Sequence, residues 1–391
     1  MDPIFNPFTP NAGARPPELA GRADELGNFN TVLQRVELGF TDKGFIVTGL
    51  RGVGKTVLLN AFETLALERC CVVIKHEAVK QPEGFSRKFP SLARRALLEI
   101  SPADRWRDRG RRAAAILRGF KAKFDPEGRW TVEYDVADVP GVGDTGDFVA
   151  DLPDVMVALG EAAQEHDQVL VFLIDEIQYL ATDELSALVM AKHMVNQRSL
   201  PIVFAGAGLP QVPTLTAEAQ TYSERMFSWP EIGPLAVTEA RKALMLPAQA
   251  AGCLFAPEAL DFIASYTEGY PYFLQEFGKA AWNVASSSPI TVQDAHDARE
   301  LVETVLDQDF FALRMGGLTG REFQYVKALA SLGPGEQTPA DIARAMGEKS
   351  STKIGNFSRR LTEKGLIYSS RRGRVAFTVP QFDRYVARAY G

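Results

Sequence analysis

The chain has 391 residues, of which 46% are hydrophobic and 24% charged, a composition typical of a globular protein and not of a disordered or fibrous one. Its length predicts two or three domains. Three cysteines and four scattered histidines exclude a disulfide framework and a tetrahedral cysteine metal site. No apolar run approaches the roughly 18 residues of a membrane span and no secretory signal begins the chain, so we expect a soluble, cytoplasmic protein without membrane contact.

The net charge of −6, taken as a whole, argues against a protein that coats nucleic acid through bulk charge. The charge is unevenly distributed, because residues 317–391 carry +7 and residues 1–316 carry −13. A basic carboxyl-terminal region on an acidic body is typical of proteins that contact nucleic acid or another anionic partner.

Five short apolar segments alternate with helical patterns in the first part of the chain, at 45–48, 71–74, 169–174, 202–205 and 227–232. Strands that are apolar throughout are typical of a parallel sheet covered by helices on both faces. We therefore predict an α/β fold over residues 1–237, a three-layer domain around a parallel sheet.

A long interval, residues 79–167, separates the second segment from the third. Its first half, residues 85–123, has 12 basic and 3 acidic residues, and its second half is acidic. We predict an inserted helical hairpin and then a strand at Trp130–Val136, where apolar and polar residues alternate. The basic residues are interpreted first as a solvated helix face that pairs with the acidic half, and the alternative is a contact with nucleic acid or a partner.

The segment Gly49–Thr56, with the letters GLRGVGKT, matches the phosphate-loop pattern G-x-x-x-x-G-K-[ST] and lies between an apolar strand and an amphipathic helix. Glycines let backbone N–H groups wrap a phosphate, and the helix dipole adds to the attraction. Lys55 is predicted to reach the β- and γ-phosphates, and the Thr56 hydroxyl to hold Mg²⁺. The predicted binding residues are Gly49, Arg51, Gly52, Val53, Gly54, Lys55, Thr56 and Val57.

A pair of carboxylates, Asp175 and Glu176, follows the most apolar strand of the chain. Open α/β sheets bind ligands at the carboxyl ends of their strands. Asp175 is predicted to hold the metal ion, and Glu176 to orient and deprotonate an attacking water as a catalytic base.

After the predicted sheet domain, residues 238–316 show helical periodicity without convincing strands and predict a small helical lid. Residues 317–391 predict a winged helix-turn-helix. Thr338 and Pro339 mark a helix start, and two short strands at 366–370 and 375–379 are joined by a basic turn. The candidate DNA-contacting residues on its second helix and this turn are Lys353, Asn356, Arg359, Arg360, Arg371, Arg372 and Arg374.

With these motifs the chain resembles AAA-plus P-loop ATPases, nearest to the origin-recognition or initiator-like clade, with features of the signal-transduction ATPases with numerous domains. The resemblance covers about residues 15–310 and implies ATP rather than GTP. The stretch Pro16–Leu26 looks like the family box that surrounds adenine, which implies nucleotide contacts by Leu19, Gly21 and Arg22. A Gly-x-Pro at Gly269–Pro271 is similar to that of the signal-transduction relatives and implies that Pro271 packs near adenine.

Two departures from the family pattern predict slow hydrolysis. The fourth strand ends in Phe204–Pro210, which contains no polar side chain where the family has a sensor residue. The lid has Gly269–Gln275 where many members place an arginine that touches the γ-phosphate. We therefore expect turnover below about 1 s⁻¹ and a switch rather than a motor.

Arg225, just before the fifth strand, lies where the family has an arginine that acts on a neighbouring subunit's nucleotide. The resemblance thus implies a catalytic finger and a nucleotide-dependent homo-oligomer, and the alternative is a surface arginine.

The leading hypothesis is an ATP-dependent switch in which nucleotide state controls a winged helix on double-stranded DNA. One alternative is a signal-transduction or defence-type ATPase whose winged helix and basic insertion bind protein partners. Another is a transcription regulator that binds ATP without useful hydrolysis.

Overall fold

A computed structural model describes residues 1–11, 13, 16–80, 84–102, 105–124, 139–369 and 373–391. The predicted strand at Trp130–Val136 and the candidate residues Arg371 and Arg372 lie outside these ranges. The chain divides into two compact units. The first, called here the sheet unit, contains residues 22–48 and 55–231, and the second, the helical unit, contains residues 1–21, 49–54 and 232–391.

The sheet unit is built on five parallel strands, as the sequence predicted. They are β1 (Gly44–Thr48), β2 (Val72–Glu77), β3 (Leu170–Asp175), β4 (Ile202–Gly208) and β5 (Phe227–Ser228). Their order across the sheet is β2-β3-β4-β1-β5, so that β4 lies between β1 and β3. The register pairs Val47 with Ala207 and Ile174 with Gly206.

In its described residues the sheet unit contains eight α-helices and a short 3-10 turn (Ile177–Tyr179): the helices are α1 (Ala23–Glu37), α2 (Lys55–Glu68), α3 (Gly84–Ile100), α4 (Asp108–Phe124), α5 (Phe148–Glu165), α6 (Thr182–Gln197), α7 (Val212–Ala219) and α8 (Ser223–Met226). Adjacent strand residues point to opposite faces of a sheet. On β1, Phe45 packs against the stacked rings of Phe29 and Phe62 from α1 and α2, whereas Ile46 belongs to the core that includes α3–α7. The sheet is therefore the middle of three layers.

The inserted helices contribute to that core rather than standing apart from it. Phe85 and Phe89 on α3 contact Phe172 on β3, with ring centroids 6.0 and 6.1 Å apart. Phe120 on α4 and Phe148 on α5 join the same aromatic cluster. Burying rings of this size is a large stabilising term, so α3, α4 and α5 are integral parts of the sheet unit.

Helix α4 makes the contacts expected of a helix face that pairs with the acidic half of the insertion. Arg112 forms an ion pair with Glu161 on α5 at 3.2 Å, and Arg109 donates to the Gln164 side chain at 2.8 Å. The arginines at 105, 107, 109, 111 and 112 are all exposed.

The helical unit contains α9 (Val237–Ala250), α10 (Pro257–Tyr266), α11 (Pro271–Val284), α12 (Val292–Val305), a π-helical turn (Leu306–Ala312) and α13 (Leu313–Met315), and these are followed by α14 (Gly320–Ser331), α15 (Pro339–Ala345), a 3-10 turn (Ser351–Lys353), α16 (Gly355–Glu363), β6 (Ile367–Tyr368), β7 (Ala376–Phe377) and α17 (Phe382–Tyr390). Thr338 caps α15 by accepting from the Asp341 N–H, as predicted. Strands β6 and β7 pair antiparallel. The closing helix α17 was not predicted.

None of the helices in the described ranges is long and apolar enough to cross a membrane.

Candidate nucleotide-binding site

In the sheet unit, the candidate metal ligands Thr56 and Asp175 are hydrogen-bonded to each other. Thr56 lies in the first turn of α2, and Asp175 is the last residue of β3 and only 4% exposed. Burial raises the pKa of the Asp175 carboxyl, while hydrogen bonds from the Thr56 hydroxyl and the Glu176 N–H and the charge of Lys55 lower it. Lys55 is itself buried. The structure therefore brings these three predicted residues together.

This donor set fits Mg²⁺. A carboxylate and a hydroxyl are hard oxygen donors, which Mg²⁺ prefers, and it usually takes only one or two protein ligands besides phosphates and water. Thr56 and Asp175 would hold the ion.

Glu176 lies in the left-handed region, with φ of 54°, directly after β3. Its N–H donates to Asp175 Oδ1 at 2.8 Å. Its carboxylate accepts a hydrogen bond from Nε2 of Gln178, whose Oε1 in turn accepts from the Leu209 N–H at 3.0 Å. The predicted base is thus linked through one glutamine to the end of β4.

Tight packing accounts for the missing polar side chain at the end of β4. A Cβ atom at Gly206 would lie 2.5 Å from Ile177 Cδ1, and one at Gly208 would lie 2.5 Å from Val212 Cγ2. A Cβ atom does not approach non-bonded atoms this closely, so only glycine fits at either position without rearrangement.

In the helical unit, three hydrogen bonds hold the tip of the phosphate loop. Tyr270 donates its hydroxyl proton to the Arg51 carbonyl, and the Tyr272 N–H donates to the Gly52 carbonyl at 3.3 Å. The Arg51 N–H donates to the Thr378 carbonyl at 3.1 Å. The loop tip is therefore fixed both by the start of α11 and by the residue that follows β7.

Glycine is required at two points of this tip. Gly52 has φ of +81° and Gly54 has φ of +91°, in the left-handed region that side chains disfavour. A Cβ at Gly52 would also lie 2.9 Å from the Tyr270 ring.

A second guanidinium lies near the loop tip in the helical unit. Arg314 lies over the Phe310 ring at 4.0 Å and donates to the Phe310 carbonyl. Burial lowers the pKa of Arg314, and the positive charge of Arg51 lowers it further. Burial also raises the pKa of Tyr270 well above its ordinary value, so its hydroxyl remains a donor.

The residues proposed to surround adenine are divided between the units. In the helical unit, Leu19 is half-buried, Pro271 begins α11, and Gly21 has φ of +65° and donates its N–H to the Glu239 carboxylate. In the sheet unit, Arg22 precedes α1 and is 7% exposed, and burial lowers its pKa.

The other predicted residues lie on exposed surfaces. Arg225 is exposed on the short α8, directly before β5. On and around α16, Ile354 and Leu361 are buried. The opposite surface exposes Lys353, Asn356, Arg359, Arg360 and, on the turn before β7, Arg374. Lys353 pairs with Glu348 at 3.3 Å and Arg359 with Glu363 at 3.8 Å.

Residues 18–204 match the family model of the AAA ATPase domain. The chain contains an AAA ATPase domain. This match includes both β1 with its phosphate loop and β3 with its two carboxylates. Residues 308–386 match a second model, a domain of unknown function (DUF8462). No curated protein matches the chain in sequence.

The fold also has counterparts among solved structures. The Walker-type ATPase PABY2304 of Pyrococcus abyssi is similar over 94% of this chain and 96% of its own, with 14% identity and a TM-score of 0.56. The Aeropyrum pernix Orc1 protein in complex with DNA is more weakly similar, with a TM-score of 0.48 and 13% identity over 100% of this chain and 97% of that one. The Thermotoga maritima RuvB Holliday junction branch migration motor has a TM-score of 0.47 and 15% identity over 95% of this chain and 98% of that one. At these identities the likeness shows the fold alone.

Four residues that interact with predicted site residues inside their own units were not themselves predicted: Gln178 in the sheet unit, and Tyr270, Arg314 and Thr378 in the helical unit. Gln178 follows the carboxylate pair by two residues, a spacing visible in the sequence. The others contact the site through folding of distant segments, and no local pattern indicates them.

Proposed function

We propose that the AAA ATPase domain binds Mg-ATP and hydrolyses it slowly. Lys55 and the phosphate-loop amides would bind the phosphates, and Glu176 would accept a proton from the attacking water. Mg²⁺, when bound, would neutralise charge on the β- and γ-phosphates. The observation that carries this proposal is the bond between Thr56 and Asp175, which joins the end of the phosphate loop to the end of β3.

Slow turnover is supported by the packing at the end of β4. Because Gly206 and Gly208 exclude side chains there, the end of the strand offers no polar side chain to the γ-phosphate. We expect a turnover number below about 1 s⁻¹, which lies at the low end of the enzyme range.

Steady-state ATP hydrolysis by wild type, E176Q and K55A tests the ATPase proposal. E176Q removes the base but keeps the volume, and should bind ATP while losing about 100-fold or more in turnover. K55A should lose ATP affinity. Wild-type turnover indistinguishable from that of E176Q would contradict the proposal.

We further propose that residues 317–391 form a winged helix of the origin-recognition type and that nucleotide state controls a DNA-binding surface on it. The supporting observation is the bond from the Arg51 N–H to the Thr378 carbonyl, because it joins the phosphate loop to that region. The exposed cations on and around α16 and the +7 charge of residues 317–391 suit a phosphate backbone.

A titration with double-stranded DNA at several salt concentrations tests this second proposal. The variant R359A/R360A should weaken binding and lower the salt slope by about one unit for each phosphate that an arginine no longer neutralises. The matched control is R241A, which replaces a partly exposed arginine on α9 that pairs with Asp261, and it should leave both the affinity and the salt slope unchanged. Absence of DNA binding at low salt would favour the alternative, a signalling ATPase whose basic surfaces bind protein partners.

Arg225 is proposed as a finger that acts on the nucleotide of a second copy of the chain. Its exposure on α8 is compatible with that role. The ATPase turnover number per chain should then rise with protein concentration in wild type and not in R225A. If the turnover number per chain does not depend on protein concentration and R225A leaves it unchanged, the finger role is excluded.

A further inference from the structure

We propose that Gln178 is a positioning residue for Glu176 and supplies, at the end of β4, the polar contact that this strand itself lacks. This inference rests on the proposed ATPase function, because Glu176 is its proposed base. It adds a residue for which neither sequence motif accounts.

Both ends of the Gln178 side-chain amide are engaged. Nε2 donates to the Glu176 carboxylate, and Oε1 accepts from the Leu209 N–H at 3.0 Å. An amide has a donor end and an acceptor end that are not interchangeable, so the two hydrogen bonds together define its orientation. Because Leu209 directly follows β4, the carboxylate is tied to the strand that lies beside β3.

The packing around Gly208 leaves this space to Gln178. A Cβ atom at 208 would lie 3.0 Å from Gln178 Oε1 and 2.5 Å from Val212 Cγ2. A polar side chain on the last residue of β4 would therefore displace the glutamine. Gln178, from the turn after β3, brings a polar group to this place.

The main chain of Glu176 is fixed as well. Its φ of 54° and its N–H bond to Asp175 set the direction in which the side chain leaves the backbone. The remaining freedom lies in the side-chain torsions, which the bond from Gln178 restricts. Proton transfer depends on placing the base within about 0.5 Å of its productive geometry, so losing this bond should slow the chemical step.

Two substitutions separate positioning from a structural role. Q178A removes both hydrogen bonds. Q178E keeps an acceptor for Leu209 but removes the donor to Glu176 and places a like charge beside it. A purely structural glutamine, needed only to hold Leu209, predicts that Q178E resembles wild type. A positioning residue predicts that Q178E is at least as impaired as Q178A.

The experiment measures kcat for ATP hydrolysis and, separately, the Kd for Mg-ATP in wild type, Q178A, Q178E, E176Q and the control Q197A. Gln197 is an exposed glutamine on α6 whose side chain contacts His193, so Q197A should equal wild type. Both Gln178 variants should lose about tenfold to hundredfold in kcat with Kd unchanged, as expected when a reacting group is misplaced.

The outcomes distinguish this inference from the ATPase proposal. If wild type turns over faster than E176Q and Q178E equals wild type, the role of Gln178 is overturned and the ATPase proposal stays intact. A loss of ATP affinity that accounts for the whole effect would also overturn it. Wild-type turnover no greater than that of E176Q would overturn both.

Discussion

The backbone N–H of Arg51, inside the phosphate loop, donates to the backbone carbonyl of Thr378, 327 positions later in the chain. The Thr378 side chain is fully buried and donates its hydroxyl proton to the Gly365 carbonyl at 2.6 Å. The acceptor is therefore anchored to the segment between α16 and β6. A change in the loop backbone on nucleotide binding would be transmitted directly to the region that carries the basic surface.

The hydroxyl of Tyr270 should contribute to ATP binding. Y270F keeps the ring that packs against Phe273 and removes only the bond to the Arg51 carbonyl. Because a hydrogen bond contributes about 0.5–1.5 kcal/mol net, we expect the Kd for ATP to rise about threefold to tenfold by calorimetric titration. Y266F, which removes a hydroxyl bonded to Glu303, is the control. Equal Kd values for Y270F and Y266F would contradict the role of Tyr270.

Glu184 should be a major stabilising residue of the sheet unit. Its buried carboxylate accepts from the N–H groups of Phe85 and Ser86 at the start of α3 and of Ala181 before α6. E184A leaves these donors without their partner, so we expect a loss of about 1–3 kcal/mol in the free energy of unfolding. Chemical denaturation checks this against D183A, an exposed acid in the same turn. Similar midpoints for the two variants would be inconsistent with this role.

The buried His76 should make stability fall with acidity. Burial, and next the charge of Lys88, lower the pKa of His76 from 6.5 to about 4. Between these values the unfolded chain binds a proton that the folded chain does not. The contribution of neutral His76 to the free energy of unfolding is thus fully present above pH 6.5. It is lost as the pH falls toward 4, by about 2–3 kcal/mol in total. Chemical denaturation of wild type and H76L between pH 7 and pH 5 measures this change. If the free energy of unfolding depends on pH equally in the two proteins, His76 is not its source.

Much of the sheet unit could be predicted from the sequence because its signals are local. An apolar run predicts each strand, and the string Gly49–Thr56 predicts the loop after β1. The contacts that shape the site are not local. Gln178 reaches Leu209, and Tyr270 reaches Arg51, only after distant segments have packed together. Nothing in the periodicity of either segment specifies these contacts, so the sequence indicates candidate ligands but not the contacts that hold their segments in place.

We propose above that nucleotide state controls a DNA-binding surface on residues 317–391. The most direct measurement is the Kd of E176Q for a duplex of mixed sequence at low salt, in saturating Mg-ATP and then in saturating Mg-ADP. This variant keeps ATP intact during the titration. We predict Kd values that differ by about fivefold or more, with the ratio of ATP affinity to ADP affinity changed by the same factor when DNA is present. Equal DNA affinities in the two nucleotides would contradict the account.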